Sequence, residues 1–274
     1  MGNAIGIIII NYNQYGMTSK FLESLSSVKN SSEAYVYIVD ASTYKEKFNL
    51  KGFSFKHLVV EDKENKGYAY GVNEGVKYFL KHGIDKFCVV NNDVVLDKNF
   101  LVEMKKTFAE EHIFGGKIYY AGGYEYHKNR YKKSDLGKVL WYAGGINDWA
   151  NSMIFHRGVD EVDHGQYDQY GATDSITGCL LCFDKKVWET VGAWDESYFL
   201  YFEDADFCER AKRAGFKLTY NPRLVIWHKV SQSTGGSGSG LHWKHQTKNR
   251  IKFGLKYAPW KTKLYLLKEK FFGR

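Results

Sequence analysis

The sequence is poor in cysteine and proline. Only 4 cysteines and 2 prolines occur in 274 residues. Four cysteines are too few to staple a chain of this length, which excludes a disulfide scaffold. Two prolines exclude a collagen-like chain. No apolar run approaches the ~20 residues that a bilayer span needs. The opening Met1-Gly2-Asn3 carries no basic residue, and the apolar run Ile7–Ile10 is short, so this end reads as a buried strand and not as a signal peptide. Free thiols without an export signal lead to the expectation of a reducing, cytoplasmic setting. With 44% apolar and 26% charged residues, disorder is excluded as the main state. The length suits one large domain, or one domain with an appendage.

Charge is present but unevenly placed. The net charge is +8. Residues 244–274 hold ten basic residues and one acid, Glu269, so this segment carries the whole excess and the body is close to neutral. Trp260, Tyr265, Leu266, Leu267, Phe271 and Phe272 interleave with its lysines. Two compatible readings follow: a helix packed on the domain, and an amphipathic helix on an anionic membrane surface, peripheral on the inner face of the cell membrane. The expected division is a catalytic domain over 1–240 and a basic amphipathic helical tail over 241–274.

The first third alternates apolar strands with amphipathic helices. Strands are expected at 5–11, 35–40, 56–61 and 86–91, with helices at 16–29 and 67–82 and Gly83 as a C-cap. This rhythm implies an α/β fold with a parallel, Rossmann-like nucleotide-binding sheet and helices on both faces. Residues 119–170, rich in Gly, Tyr, Trp and His, read as irregular or antiparallel cover for one face. A strand at 179–183, helices at 185–191 and 204–214, and strands at 218–220 and 224–227 follow. Residues 231–240 read as a flexible loop.

In such sheets ligands sit at the carboxyl ends of the strands. Four of these ends are polar: Asn11-Tyr12-Asn13, Asp40-Ala41-Ser42, Asn91-Asn92-Asp93 and Trp227-His228. An aromatic ring beside an aspartate can stack on a base and accept its imide N–H. Taken alone, Asp40 is more simply a turn or N-cap residue, and Asn91-Asn92-Asp93 an Asx-turn. Together the four ends favour a site. A carboxylate at a rigid strand edge can bind a divalent cation that also takes diphosphate oxygens. Glu203-Asp204-Ala205-Asp206 follows five aromatic or apolar residues at a helix start. Capping explains one or two of these acids. A third, set against an aromatic wall, gains basicity by desolvation, as a general base for a sugar hydroxyl requires.

The ordered series IIIINYN (7–13), VDAS (39–42), NKGYAYGVNEG (65–75), VVNNDVVL (89–96), WYAGG (141–145), TGCLLCF (177–183), VGAWDESYFLYFEDADFCERAKRAGF (191–216) and HKVSQSTGG (228–236) resembles the family 2 inverting glycosyltransferases of the GT-A fold, in particular rhamnosyltransferase-like enzymes of cell-surface polysaccharide synthesis. The resemblance implies that Tyr12, Asn13 and Asp40 bind the base and ribose of a dTDP- or UDP-sugar, and that Gly67 and Asn73 shape the pocket beside it. Asn91-Asn92-Asp93 stands at the family's DXD motif, with Asp93 and His228 as ligands of Mn²⁺ or Mg²⁺. Asn91 departs from the first aspartate and removes one charge. Asp204 matches the family's base, while Trp194, Asp195, Glu196 and Glu203 stand on the acceptor side. The implied acceptor is a saccharide or a polyprenyl-linked saccharide.

Three other readings compete. A nucleic-acid binder would explain the charge, but the basic residues cluster in one segment and no recognition motif occurs. A sugar nucleotidyltransferase would need a Gly-rich, basic phosphate loop after the first strand, where Asn11-Tyr12-Asn13 stands instead. A silent sugar-binding subunit has no use for Asp93, Asp204 and His228 together.

Overall fold

A computed structural model describes residues 4–230 and 240–272. The loop expected at 231–240 therefore lies, but for its last residue, outside the described residues. In chain order the elements are β1 (Ile5–Asn11), α1 (Tyr15–Ser26), β2 (Ala34–Asp40), β3 (Lys56–Glu61), α2 (Tyr68–Lys81), β4 (Lys86–Val90), β5 (Val94–Leu96), α3 (Phe100–Phe108), β6 (Ile113–Tyr120), β7 (Leu140–Tyr142), β8 (Gly145–Asp148), β9 (Met153–His156), β10 (Gly171–Ala172), β11 (Leu180–Asp184), α4 (Lys185–Val191), α5 (Glu203–Arg213), β12 (Thr219–His228), α6 (Gly240–Tyr257) and α7 (Trp260–Phe272).

The main sheet runs β3-β2-β1-β4-β11-β6-β12-β10. Strands β1 to β4 are mutually parallel, and β12 lies parallel to β6. Strand β11 runs against both its neighbours, so the sheet is mixed and mostly parallel. Successive side chains of a strand point to opposite faces, and β1 shows the consequence. Ile5, Ile7 and Ile9 enter one core with Phe21, Leu22 and Leu25 of α1 and Phe100, Leu101 and Met104 of α3. Ile8 enters the other with Val72, Val76 and Phe79 of α2 and Phe207 and Ala211 of α5. Helices thus cover both faces, and the isoleucine run is explained by burial on each side. Gly71 and Gly75 bring α2 close to β1: a Cβ on either would lie 2.5 Å from Ile10 Cδ1 or 2.8 Å from Ile8 Cγ1.

Some elements differ from the sequence reading. The pair of strands expected at 218–220 and 224–227 is one strand, β12, with a register shift between Asn221 and Val225. Pro222 lies within the shift, where a residue without an N–H costs no ladder bond. Helix α3 and strand β6 lie in a stretch to which the sequence reading assigned nothing. The middle of the chain holds the antiparallel hairpin β8–β9. Cys179 and Cys182 stand at C-x-x-C spacing, yet Cys182 faces Cys88 across β4 and Cys179 meets His228, so all four thiols are buried and free. Among the described residues no helix is long and apolar enough to cross a membrane.

The basic segment forms two helices against the body. Phe253 of α6 is buried with Tyr198 and Ala205 and stacks on Trp149. Asp206, fully buried, takes Lys256 at 2.6 Å and Tyr257 at 2.8 Å from α6 and Arg210 at 2.7 Å from its own helix. A buried carboxylate needs such partners to stay charged.

Candidate active site

The parallel register brings the polar strand ends to one edge. Asn11 of β1 pairs with Asp40 of β2, β4 leads into Asn91, and β12 ends at His228. Above this edge lies a cavity of about 680 Å³. Tyr12, Gly67, Asn91, Asn92, Asp93, Glu203, Asp204 and His228 line it. These eight come from distant parts of the chain.

Asp204 sits in the first turn of α5. Its two oxygens accept N–H bonds from Gly178 (2.7 Å) and Ala205 (2.8 Å). Burial raises its pKa, and these bonds only partly offset the rise. Glu203 is pushed well above the usual carboxyl range by burial and by the neighbouring Asp204, and its Oε2 has no hydrogen-bond partner. Glu203 thus holds its proton to higher pH than an ordinary glutamate, and Asp204 is a more basic carboxylate than an exposed aspartate. The turn before them is strained: Tyr201 and Phe202 both take left-handed backbone angles, φ +69° and +71°, at a cost of about 1–2 kcal/mol each. That turn is gripped from two sides. Tyr68 donates its N–H to Phe199 O at 3.0 Å. Asn249 of α6 donates to the carbonyls of Leu200 and Tyr201.

Asp93 and His228 meet at the opposite part of the sequence pattern. His228 Nε2 lies 3.1 Å from Asp93 Oδ1. Burial alone would hold His228 neutral, but the Cys179 sulfur and the Asp93 carboxylate carry its pKa well above the usual value. The carboxylate is the stronger physical cause, because burial also raises the Cys179 thiol and keeps it protonated. Beyond that contact Asp93 Oδ1 makes no hydrogen bond, and His228 Nδ1 is buried without one. Carboxylate oxygen with imidazole nitrogen is a fitting donor pair for Mn²⁺ or Mg²⁺. Among the described residues no group of three or more His, Cys, Asp and Glu side chains is arranged to hold a metal ion. Such an open site suits a cation that also takes substrate phosphate oxygens.

The remaining expected residues stand behind the cavity wall. Asp40 accepts from Asn11 (2.9 Å), Ser42 (2.6 Å) and Tyr15 (2.8 Å), with Lys45 at 3.6 Å. Burial works to raise its pKa, but these bonds and the lysine bring it below the ordinary value. Asn13, at φ +55°, is fixed by Ser42 and Thr43. Asn73 is buried, receives Trp194 N–H at 2.9 Å and donates to Trp194 O and Glu196. Trp194 is buried in the core, and Asp195 pairs with Lys252 at 3.4 Å. None of Asn13, Asp40, Asn73, Trp194, Asp195 and Glu196 lines the cavity; they tie together the strand ends and loops next to it.

Sequence reasoning missed several lining residues. Tyr68 shares its hydroxyl between Asn91 Oδ1 (3.2 Å) and Gly178 O (3.1 Å). Trp141 wedges edge-on between His156 and His228, with ring centroids 4.4 and 4.6 Å away. Burial lowers His156 to about 4, so its ring is neutral. Gln246 of α6 also faces the cavity.

The profile of the glycosyltransferase-like family 2 matches residues 3–250. The chain belongs to glycosyltransferase family 2. Its glycosyltransferase relatives include the dTDP-rhamnosyl transferase RfbF of Shigella flexneri, 23% identical over 238 residues, which cover 85% of this chain and 72% of that one. A low-salt glycan biosynthesis hexosyltransferase of Haloferax volcanii is 22% identical over 217 residues, covering 78% and 63%. An N-acetylglucosaminyl-diphospho-decaprenol L-rhamnosyltransferase of Mycobacterium tuberculosis is 28% identical over 85 residues, covering 31% and 28%. Among solved structures, GalNAc-T7 with UDP, GalNAc and Mn²⁺ superposes with a TM-score of 0.68 at 12% identity, over 97% of this chain and half of that one. That likeness is one of fold. The family 2 sheet, with its ligand edge at the strand ends, is the GT-A architecture expected from the sequence.

Proposed function

We propose that this glycosyltransferase moves a sugar, rhamnose by preference, from a dTDP- or UDP-sugar to a hydroxyl of a saccharide or lipid-linked saccharide in cell-surface polysaccharide synthesis, with inversion. The carrying observation is that one cavity is lined by a buried, basic carboxylate, Asp204, and by the contacting Asp93–His228 pair. The printed names of the relatives favour rhamnose, a diphosphate nucleotide donor and, for the mycobacterial protein, a polyprenyl-linked acceptor.

Each chemical task then has a residue. Tyr12, Gly67, Asn91 and Asn92 border the donor, while Asp40, Asn13 and Asn73 fix the strand ends and loops behind them. Asp93 and His228 would hold Mn²⁺ or Mg²⁺, which when bound neutralises charge on the departing nucleoside diphosphate. Asp204 retains lone pairs beyond its two N–H bonds, and takes the proton of the attacking acceptor hydroxyl. Its burial makes it a stronger base than an exposed aspartate. Burial makes Glu203 hold its proton more tightly than an ordinary glutamate, which makes it a poor nucleophile and fits a single inverting displacement. The aromatic turn 199–202 keeps water from the reacting hydroxyl.

Asp204→Asn tests the base. Transfer should fall by at least ~10³-fold, with donor binding by thermal shift retained; turnover near the wild-type rate would remove Asp204 from this role. Release of nucleoside diphosphate is expected, and release of pyrophosphate would instead indicate nucleotidyl transfer.

A further inference from the structure

The basic C-terminal segment divides into two helices with opposite employment. Three cations of α6, Arg250, Lys252 and Lys256, reach partners on the body or on α7, whereas Lys248 is exposed. Lys252 meets Asp195, Ser197 and the Tyr198 ring; Lys256 meets Asp206; Arg250 meets Glu269. Helix α7 behaves otherwise. It docks through Thr262 and Leu266, which are buried, with Glu269 turned to Arg250. Leu266 seats where α6 has Gly254, whose added Cβ would lie 2.2 Å from Leu266 Cδ1.

At about 100° per residue, Trp260, Leu264, Leu267 and Phe271 fall within an arc of about 60° on the side away from Thr262 and Glu269. All four are exposed, Trp260 by 66% and Phe271 by 72%. Lys261 and Lys268 stand on one shoulder of this stripe and Lys263 and Lys270 on the other. The helix's one acid faces the body. An exposed four-residue apolar stripe is costly in water unless covered.

We propose that the outer face of α7 lies on an anionic lipid bilayer, with the Trp260–Phe271 stripe in the acyl boundary and the four lysines at the headgroups. The charge pattern selects this occupant. A second copy packed stripe to stripe would set lysine shoulders against lysine shoulders, whereas anionic headgroups complement both. Because α6 both lines the cavity through Gln246 and carries α7, the site is held beside the surface that would present a lipid-linked acceptor. The docking claim goes beyond the sugar-transfer reading and does not depend on it.

The test uses the full chain with vesicles of phosphatidylcholine, with and without phosphatidylglycerol, in a sedimentation assay. Binding should be at least ~10-fold stronger with the anionic lipid and should weaken with salt. The double variant Leu267→Glu/Phe271→Glu, at exposed positions, should lose about tenfold or more in binding. Its melting temperature and its turnover of a water-soluble acceptor should be unchanged, which separates failure of docking from failure of catalysis. Equal binding to neutral vesicles, unchanged binding of the double variant, or a dimer that the double variant dissociates without any vesicle binding would each overturn the proposal.

Discussion

Asn249 Nδ2 lies 2.8 Å from the carbonyl oxygen of Leu200 and 3.0 Å from that of Tyr201. Both amide protons of one buried side chain on α6 are spent on the turn that aims Asp204. Tyr201 and Phe202 hold left-handed angles that the local sequence does not favour, so an outside partner must keep them there. Asn249→Ala removes two hydrogen bonds worth about 0.5–1.5 kcal/mol each. The expected result is a modest fall in melting temperature together with a larger, about tenfold, fall in kcat and unchanged donor affinity. Equal losses in kcat and donor affinity would mean that the side chain serves stability alone.

Burial raises the pKa of Asp204, and the base works only when ionised. The acid limb of the kcat/KM profile should therefore lie above about 3.9, the ordinary aspartate value. Activity should rise with pH through that limb. Initial rates across the pH range, with stability checked at each point, measure it. A limb at or below the ordinary value would show that another group governs the proton transfer.

Glu203 makes a separate stability prediction. Its folded pKa is raised well above 4.5. A carboxyl raised on folding contributes stability that is present below its unfolded pKa and is lost as pH rises toward the folded one. Glu203→Gln abolishes that loss. The variant should gain melting temperature relative to the parent as pH rises from about 5 to about 8. A difference that is flat with pH would mean that the buried Glu203 carboxyl does not titrate against folding.

What the sequence made legible was what local pattern encodes. The run Ile7–Ile10 announced a strand buried on both faces, and the two cores confirm it. The polar strand ends announced the edge on which Tyr12, Asn92, Asp93 and His228 converge. Helix α3 was legible but passed over: Asp97-Lys98-Asn99 precedes Phe100, Leu101, Met104 and Phe108 at helical spacing. Trp141 opens the WYAGG segment, yet nothing local shows that it meets two histidines, and nothing local distinguishes His156 or Asn249. Trp141 and His156 reach the cavity only when the β8–β9 hairpin folds under β7. Asn249 belongs to a segment whose charge suggested surface, yet α6 spends three cations, Arg250, Lys252 and Lys256, on Glu269, Asp195 and Asp206. Burial of the partners, invisible in sequence, divides the basic segment into two helices: three cations of α6 are paired, while the lysines of α7 flank an exposed stripe.

Gly67 offers a test of how tightly the site is closed. Its φ of +97° lies where side chains are rarely tolerated, and a Cβ there would stand 2.5 Å from Phe199 O. That oxygen is the one Tyr68 N–H bonds, so α2 and the turn before α5 meet backbone to backbone at this point. Gly67→Ala must either strain the start of α2 or push the turn outward. The strain alone costs about 1 kcal/mol or more, a fall of about 2–4 °C in melting temperature for a chain of this size. If the turn moves instead, Asp204 moves with it. Transfer should then fall more than the stability loss accounts for, and because Gly67 also borders the donor, Mn²⁺-dependent stabilisation by the nucleotide should weaken with it. Normal turnover at saturating donor, with nucleotide binding alone lost, would show that the turn before α5 has not moved.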